Sequence, residues 1–196
     1  MPAVIIEEKG RIEPAAVQID RVGPRAVNAR RRDEKIVEIA DKYFEIKPGK
    51  DGASPNIFVD DGLAFIARAK NKNYDAIYLD AFLKPSAKTD STGVPLAQRT
   101  KQFYQSIQDA LAPDGVAVFN INPHERIRED VEGIRNGFPQ VYAFSLPNNS
   151  GKVVVASKIA IRIPRSEISK NLEEADERLQ PSFSLKSRLD WLRVAN

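Results

Sequence analysis

Cysteine is absent from this chain of 196 residues, and histidine, methionine and tryptophan occur only once each. Without cysteine there are no disulfides, thiolate nucleophiles or thiolate zinc ligands, and one histidine cannot form a histidine-rich metal cluster. We therefore expect no metal centre. Any catalysis must rely on carboxylates, hydroxyls, lysines or the positioning of reactants.

Long apolar runs and one-sided charge are lacking as well. No run approaches the roughly 20 apolar residues that a membrane-spanning helix needs, and the first ten residues do not have the pattern of a secretion signal. We therefore expect a cytoplasmic protein with no membrane partner. The 30 basic residues are interleaved with 27 acidic ones, and the only dense basic cluster lies at 21–32. A solvated surface is the favoured interpretation of that cluster, so we do not expect a nucleic-acid partner; binding of nucleic acid through the cluster is the alternative.

Helical and strand patterns alternate from residue 33 onward. Apolar spacing predicts helices at 33–44, 63–69, 100–111 and 124–137, and apolar runs predict strands at 57–59, 76–79, 116–121, 141–146 and 153–157. The turn residues 147–151 join the last two strands, which we expect to be antiparallel. This order predicts an α/β fold with a mostly parallel sheet covered by helices.

The two ends of the chain differ from this pattern. The first 30 residues are broken by proline and glycine, and only 4–6 and 26–27 have strand character. We expect 1–163 to form the α/β domain and 164–196 a charged helical tail that is interrupted at Pro181. An apolar stripe around Trp191, at helical spacing, predicts that this tail docks on the core or on a second copy of the chain.

Acidic residues follow two of the predicted strands. Asp80 ends the strand 76–79, and Asp60, Asp61 and Gly62 form a turn after the strand 57–59. Ligands of open parallel sheets bind outside the carboxyl ends of the strands, so we expect Asp61 and Asp80 to project into one cleft. The alternatives are a helix cap at Asp61 and a loop-capping role at Asp80.

Four segments share their order and spacing with one known family: 33–44, 61–66, 74–82 and 111–116. Together they resemble the spermidine synthase-like branch of the class I S-adenosylmethionine-dependent methyltransferases, over about residues 30–160. The resemblance implies a three-layer Rossmann-like fold that binds S-adenosylmethionine, or its decarboxylated form, at the carboxyl edge of the sheet. It also implies group transfer to a small-molecule acceptor, and a homodimer.

The resemblance further implies roles for individual residues. Asp80 takes the place of the catalytic acid that holds or deprotonates the attacking amine, and Asp61 that of the residue that hydrogen-bonds the adenine amino group. The other expected donor contacts are Asp33, Asp60 and Gly62, and the expected acceptor contacts are Phe82, Leu83 and Asn120. Residues 84–98 correspond to a loop that closes over the substrate, although a plain surface loop is the alternative. His124 is either a general base or part of a helix start.

Three positions depart from the family pattern. No glycine-rich turn precedes residue 33, Arg31 replaces the acidic residue that holds the ribose, and Leu83 replaces a second Asp that binds the acceptor amine. Spermidine synthesis in the strict sense is therefore disfavoured. The chain is either a transferase with a remodelled or truncated donor site, or a non-catalytic homologue that serves as an interaction or dimerisation scaffold. A donor pocket without glycines requires residues 1–32 to supply a parallel strand followed by a helix.

Overall fold

The alternating pattern folds into a sheet flanked by helices in the computed structural model, which describes residues 18–20, 28–31, 42–43, 56–59, 61–69, 74–80, 85–147 and 150–195. The strands within these residues are β1 Gln18–Asp20, β2 Asn28–Arg31, β3 Asn56–Val59, β4 Tyr74–Leu79, β5 Leu111–Ile121, β6 Gln140–Ser145, β7 Lys152–Ser157 and β8 Leu192–Ala195. The helices are α1 Gly62–Arg68, α2 Lys101–Ala110, α3 Ile127–Gly137 and α4 Arg165–Leu179, with 3₁₀ turns at Leu96–Arg99 and Lys186–Trp191.

The main sheet has six strands in the order β1-β4-β5-β7-β6-β8, and β2 and β3 form a second, parallel pair. Within the six-stranded sheet β4 and β5 are parallel, and the other neighbours are antiparallel. The second sheet adjoins the first, because β2 contacts β1. The expected α/β class and the antiparallel β6–β7 pair are confirmed.

The core lies between the main sheet and a row of helices in which α2 packs against both α1 and α3. The helical spacing of α2 buries Phe103, Tyr104 and Ile107 on one face, and Thr100 caps the helix by accepting a hydrogen bond from the Phe103 amide at 3.2 Å. Edge-to-face contacts join Tyr104 to Phe119 and Phe138. No helix in the described ranges has the length and hydropathy of a membrane span.

The pairing of β4 with β5 is irregular between Leu111 and Val116, where the sequence predicts only a turn. Leu111 pairs with Tyr74, and regular pairing resumes five residues later with Val116 opposite Ala76. The predicted turn 113–115 is therefore a kink within one long strand. Gly115 lies there, and an added Cβ would come within 2.6 Å of the Tyr74 carbonyl oxygen.

The tail is helical over only part of the expected length. Helix α4 confirms the charged helix before Pro181, but the apolar stripe beyond it is not an α-helix: it passes through the 3₁₀ turn Lys186–Trp191 and ends in β8 beside β6. Leu189 and Leu192 are buried, so the stripe docks on the core of the same chain. The strands expected at 4–6 and 26–27 lie outside the described residues, as does the helix at 33–44 except for Lys42 and Tyr43, which are helical.

We expect Gly115→Ala to lower the free energy of unfolding by about 1 to 3 kcal/mol, since the new methyl group meets backbone atoms that cannot move aside. The control is Gly133→Ala, within α3, where the nearest contact would be an ordinary 3.4 Å to the Tyr104 hydroxyl. That change should be neutral or stabilising by up to about 1 kcal/mol. Chemical denaturation checks both, and equal stabilities would contradict the expected clash.

Candidate functional site

Asp80 and Asn120 meet at the carboxyl ends of the two parallel strands. Leu79 pairs with Phe119, so Asp80, the first residue after β4, comes beside Asn120, the next-to-last residue of β5. The Asn120 side-chain amide donates to Asp80 Oδ1 at 2.8 Å, and both side chains are half-buried. A carboxylate fixed by an amide donor in this way keeps a defined orientation at the edge where α/β sheets bind ligands.

Asp61 caps the helix that follows β3. Its Oδ1 accepts a hydrogen bond from the Ala64 amide at 2.9 Å, and Gly62 is the buried first residue of α1. The helix-cap interpretation is thus confirmed, while the adenine contact stays a prediction. Strands β1 and β2 stand between β3 and β4, so Asp61 and Asp80 do not follow neighbouring strands.

Several expected contacts lie outside the described residues: Asp33, Asp60, Phe82, Leu83 and the first residue of the loop, Lys84. Arg31 is described: it is the last residue of β2 and pairs with Val59, the last residue of β3. Asp61 follows Val59 by two residues, so it lies just beyond the same end of the parallel pair. The position that should hold the ribose therefore lies at the same strand ends as the position expected to contact adenine.

The strand beside β4 runs in the opposite direction to the one that a donor pocket requires. Strand β1 pairs antiparallel with β4, with Gln18 opposite Tyr78 and Asp20 opposite Ala76. The carboxyl end of β1 consequently points away from the edge that carries Asp80.

The loop expected to cover the substrate is well structured from residue 85 onward. Asp90 organises it, because its Oδ1 accepts from the Thr92 amide, the Thr92 hydroxyl and the Val94 amide at 2.7 to 2.9 Å. Gly93 adopts a φ of 90°, a conformation that other residues rarely take. Thr89 is buried and bridges to Pro95. A packed wall, rather than a plain surface loop, borders the site.

Arg99 joins this loop to helix α3. One terminal guanidinium nitrogen lies 2.5 Å from Asp90 Oδ2 and 2.7 Å from Asp130 Oδ2. The two carboxylates are only 9% and 11% exposed, so they depend on this shared cation for compensation of their charge. Burial acts to raise the pKa of Asp90, but hydrogen bonds from Val94, Thr92 and Arg99 outweigh it and hold that pKa below its ordinary value.

His124 has both ring nitrogens engaged in the same cluster. Its Nε2 lies 2.9 Å from Asp130 Oδ2, and its Nδ1 accepts a 3.3 Å hydrogen bond from the Arg126 amide. This geometry supports the helix-start interpretation over a general base. Asp90, His124 and Asp130 bring their ligand atoms within 4.8 Å of one another, an arrangement that suits a cation. The Arg99 guanidinium already supplies the positive charge there.

A cavity of about 30 Å³ lies between this cluster and the ends of β4 and β5. Its walls include Leu79, Gln98, Arg99, Tyr104, Asn120 and Asp130. Burial, reinforced by the negative charge of Asp130, raises the pKa of Tyr104 to about 12 even though Arg99 opposes the shift. The phenol therefore stays protonated at any working pH. The cavity is partly open to solvent.

Sequence reasoning missed Arg99, Asp130 and Gln98, which line this cavity. Asp90 carried a signal, because Asp-Ser-Thr-Gly is a turn sequence in which the carboxylate caps the following amides. The pairing of Arg99 with Asp130 spans 31 residues and has no local signature. The ion pair forms only when the 3₁₀ turn Leu96–Arg99 packs against α3.

The strand order, the helices that pack on the sheet and the polar carboxyl edge together define a Rossmann-like methyltransferase fold. Human methyltransferase-like protein 13 in complex with SAH has this fold, with a TM-score of 0.67 and 17% identity over 80% of this chain and 72% of that chain. A spermidine synthase in complex with the transition-state analogue AdoDATO is also similar, with a TM-score of 0.59 and 21% identity over 86% and 58% of the two chains.

The family follows from the sequence. The family model "Spermine/spermidine synthase domain" matches residues 31–153, which is most of the chain, so the chain belongs to that family. The resemblance of residues 30–160 is thereby confirmed. A polyamine aminopropyltransferase from Vibrio vulnificus is 26% identical over 152 residues, which are 76% of this chain and 48% of the relative. The chain spans about half the length of this relative.

We expect Arg99→Ala to lower the free energy of unfolding by about 2 to 4 kcal/mol, because two nearly buried carboxylates lose their shared cation. Arg99→Lys should restore only part of this loss, since a lysine ammonium lacks the planar fork of the guanidinium. The control, Arg135→Ala, removes an exposed pair with Glu132 and should cost under about 0.5 kcal/mol. Similar losses at the two arginines, measured by urea denaturation, would contradict the bridging role.

The lowered pKa of Asp90 predicts a specific acid sensitivity. Its interactions contribute stability above the ordinary carboxyl pKa of about 3.9, and this contribution is lost as the pH falls through the lower pKa of the folded state. We expect the difference in free energy of unfolding between the parent protein and Asp90→Asn to be largest near neutral pH and to shrink in acid. Asp114→Asn, at an exposed position, is the control. A pH-independent difference for Asp90→Asn would refute the assignment.

Proposed function

We propose that the chain is a spermidine synthase-like group transferase that uses S-adenosylmethionine, or its decarboxylated form, on a small-molecule acceptor. The observation that carries this proposal is the pair of Asp80 and Asn120 at the carboxyl ends of β4 and β5. Membership of the spermine/spermidine synthase domain family supports it, as does the likeness to solved structures whose titles name SAH and AdoDATO. Assembly as a homodimer is part of the same proposal.

Asp80 performs the central task in this proposal. It accepts a hydrogen bond from the attacking amine of the acceptor and orients the nitrogen lone pair toward the electrophilic carbon. The new carbon–nitrogen bond would form as the carbon–sulfur bond of the donor breaks and the sulfur leaves as a neutral thioether; the nitrogen would become positively charged, and the carboxylate would stabilise that charge and take up a proton. Asn120 is a positioning residue, because it donates to one carboxylate oxygen and restricts rotation of the group. The donor supplies the electrophilic carbon on a sulfonium sulfur.

The fit of the donor is uneven along the molecule. Asp80 suits the sulfonium end by charge, and Asp61 supplies a carboxylate for the adenine end, with its Oδ1 already engaged in the helix cap. Between these ends the family pattern asks for a glycine turn and an acidic residue, where this chain has an antiparallel β1 and Arg31. The direction of β1 favours a second candidate function, that of a non-catalytic scaffold whose sheet has been retained.

Isothermal titration with S-adenosylmethionine, its decarboxylated form and methylthioadenosine separates the two candidates. A transferase should bind at least one of them with micromolar affinity, whereas a scaffold should produce no heat with any. Asp61→Asn keeps a capping oxygen for α1 but replaces the carboxylate, so it should weaken binding about tenfold without unfolding the helix. Asp109→Asn, on α2, is the matched control. Binding that is unchanged in Asp61→Asn would remove Asp61 from the donor site.

A further inference from the structure

Strand β8 forms one edge of the six-stranded sheet. It pairs antiparallel with β6 on one side, and no other strand in the described part of the chain pairs with it on the other. An edge strand presents backbone N–H and C=O groups to which a further strand can add. The outer side of β8 is thus a place where the sheet of this chain can continue into another molecule.

The backbone contacts of β8 show which residues face this outer side. Successive residues of an antiparallel strand alternate between bonding to the paired strand and pointing away from it. The Leu192 amide donates to the Leu189 carbonyl at the end of the 3₁₀ turn, so it is not available to β6. Leu192 and Val194 therefore face the outer side, while Arg193 and Ala195 bond to β6.

The Arg193 side chain closes the outer side at Leu192. Its Nη1 donates to the Leu192 carbonyl at 3.1 Å and to the Asp190 carbonyl at 2.8 Å. Because the Leu192 amide is already bonded to Leu189, both backbone groups of Leu192 have partners within the chain. Of the two outward-facing residues of β8, Leu192 is thus closed to another strand, and a positive charge lies beside it.

We infer that the outer edge of β8 is a latent interface for a second copy of this chain, and that Arg193 keeps it closed. A two-fold axis at residue 193 aligns two β8 strands antiparallel, with Leu192 of each copy opposite Val194 of the other. Each of these pairs then exchanges backbone hydrogen bonds, so one short edge satisfies its own outward groups. A second copy is the occupant that this edge matches by symmetry.

Arg193 opposes this pairing in two ways. It occupies the Leu192 carbonyl that the second copy must reach, and it places two like charges directly opposite each other at the axis. The inference does not depend on the proposed transferase. It implies that the homodimer of that proposal forms through a different surface.

Arg193→Thr tests the closure, because threonine suits a strand but carries neither the charge nor a donor that reaches both carbonyls. We expect its association constant, measured by sedimentation equilibrium of the full chain, to rise about tenfold over the parent, since each copy gains a backbone hydrogen bond. If the parent is already a dimer, the rise is read in the species above the dimer. Arg193→Lys, which keeps the charge and a donor, should remain close to the parent.

The matched control is Arg128→Thr, at an exposed position of α3, which removes the same charge away from the sheet edge. Unchanged association of Arg193→Thr would overturn the inference, and so would an equal rise in the control.

Cysteine cross-linking tests the register independently, and it decides the question if Arg193→Thr does not fold, as judged by circular dichroism. The chain has no cysteine, so Arg193→Cys introduces a single thiol at the two-fold axis. Two such residues face each other as a non-hydrogen-bonded pair with Cα atoms about 4.5 Å apart, a separation that a disulfide spans. We expect the disulfide-linked dimer to form about tenfold faster than with Arg128→Cys. Equal rates would refute the β8 interface.

Discussion

The parallel register of β4 and β5 is the constraint on which the site depends. Because Leu79 lies opposite Phe119, Asp80 and Asn120 come side by side, and a 2.8 Å hydrogen bond joins them. The irregular part of β5 approaches the Tyr74 carbonyl at Gly115, where only a residue without a side chain fits. A backbone requirement five residues before Asn120 in the same strand therefore supports the register that places the Asp80 carboxylate. Proteins often place reactive groups on loops, but here the sheet itself fixes the orientation.

Arg99 fixes the loop that borders the ends of β4 and β5, because its guanidinium contacts both Asp90 in the loop and Asp130 on α3. A loop of this length has many conformations, and its packing here comes from polar contacts instead of a large apolar surface. Asp90 closes the turn through its own backbone, and Arg99 then connects that turn to Asp130 on α3. The same guanidinium compensates the negative charge of both nearly buried carboxylates. One side chain therefore connects the loop to α3.

The parts of the fold that local pattern controls were predictable from the sequence, and the parts set by distant contacts were not. Buried strands with flanking turns identified β3 to β7, and Asp80 was found because a strand end is a readable position. The tail shows the limit: Leu185, Leu189 and Leu192 have helical spacing, yet the last of them starts a strand because β6 offers an unpaired edge. Tertiary pairing outweighed local spacing there. In the same way, the local sequence around Arg99 or Asp130 does not predict their ion pair, because the pair joins a 3₁₀ turn and α3 that are 31 residues apart.

The two halves of the proposed site depend on different parts of the sheet, and this explains why they fit the family unequally. The proposed acceptor half uses Asp80 and Asn120 at β4 and β5, while the expected contacts Phe82 and Leu83 lie outside the described residues. The donor half relies on the elements before β4, where β1 runs antiparallel and brings its amino end to the edge that carries Asp80. The direction of β1 does not change the β4–β5 ladder, because each ladder needs only its own hydrogen bonds. In the proposed transferase, altered donor contacts before β4 would therefore leave the Asp80–Asn120 pair in place, so the two halves of the proposed site can change independently.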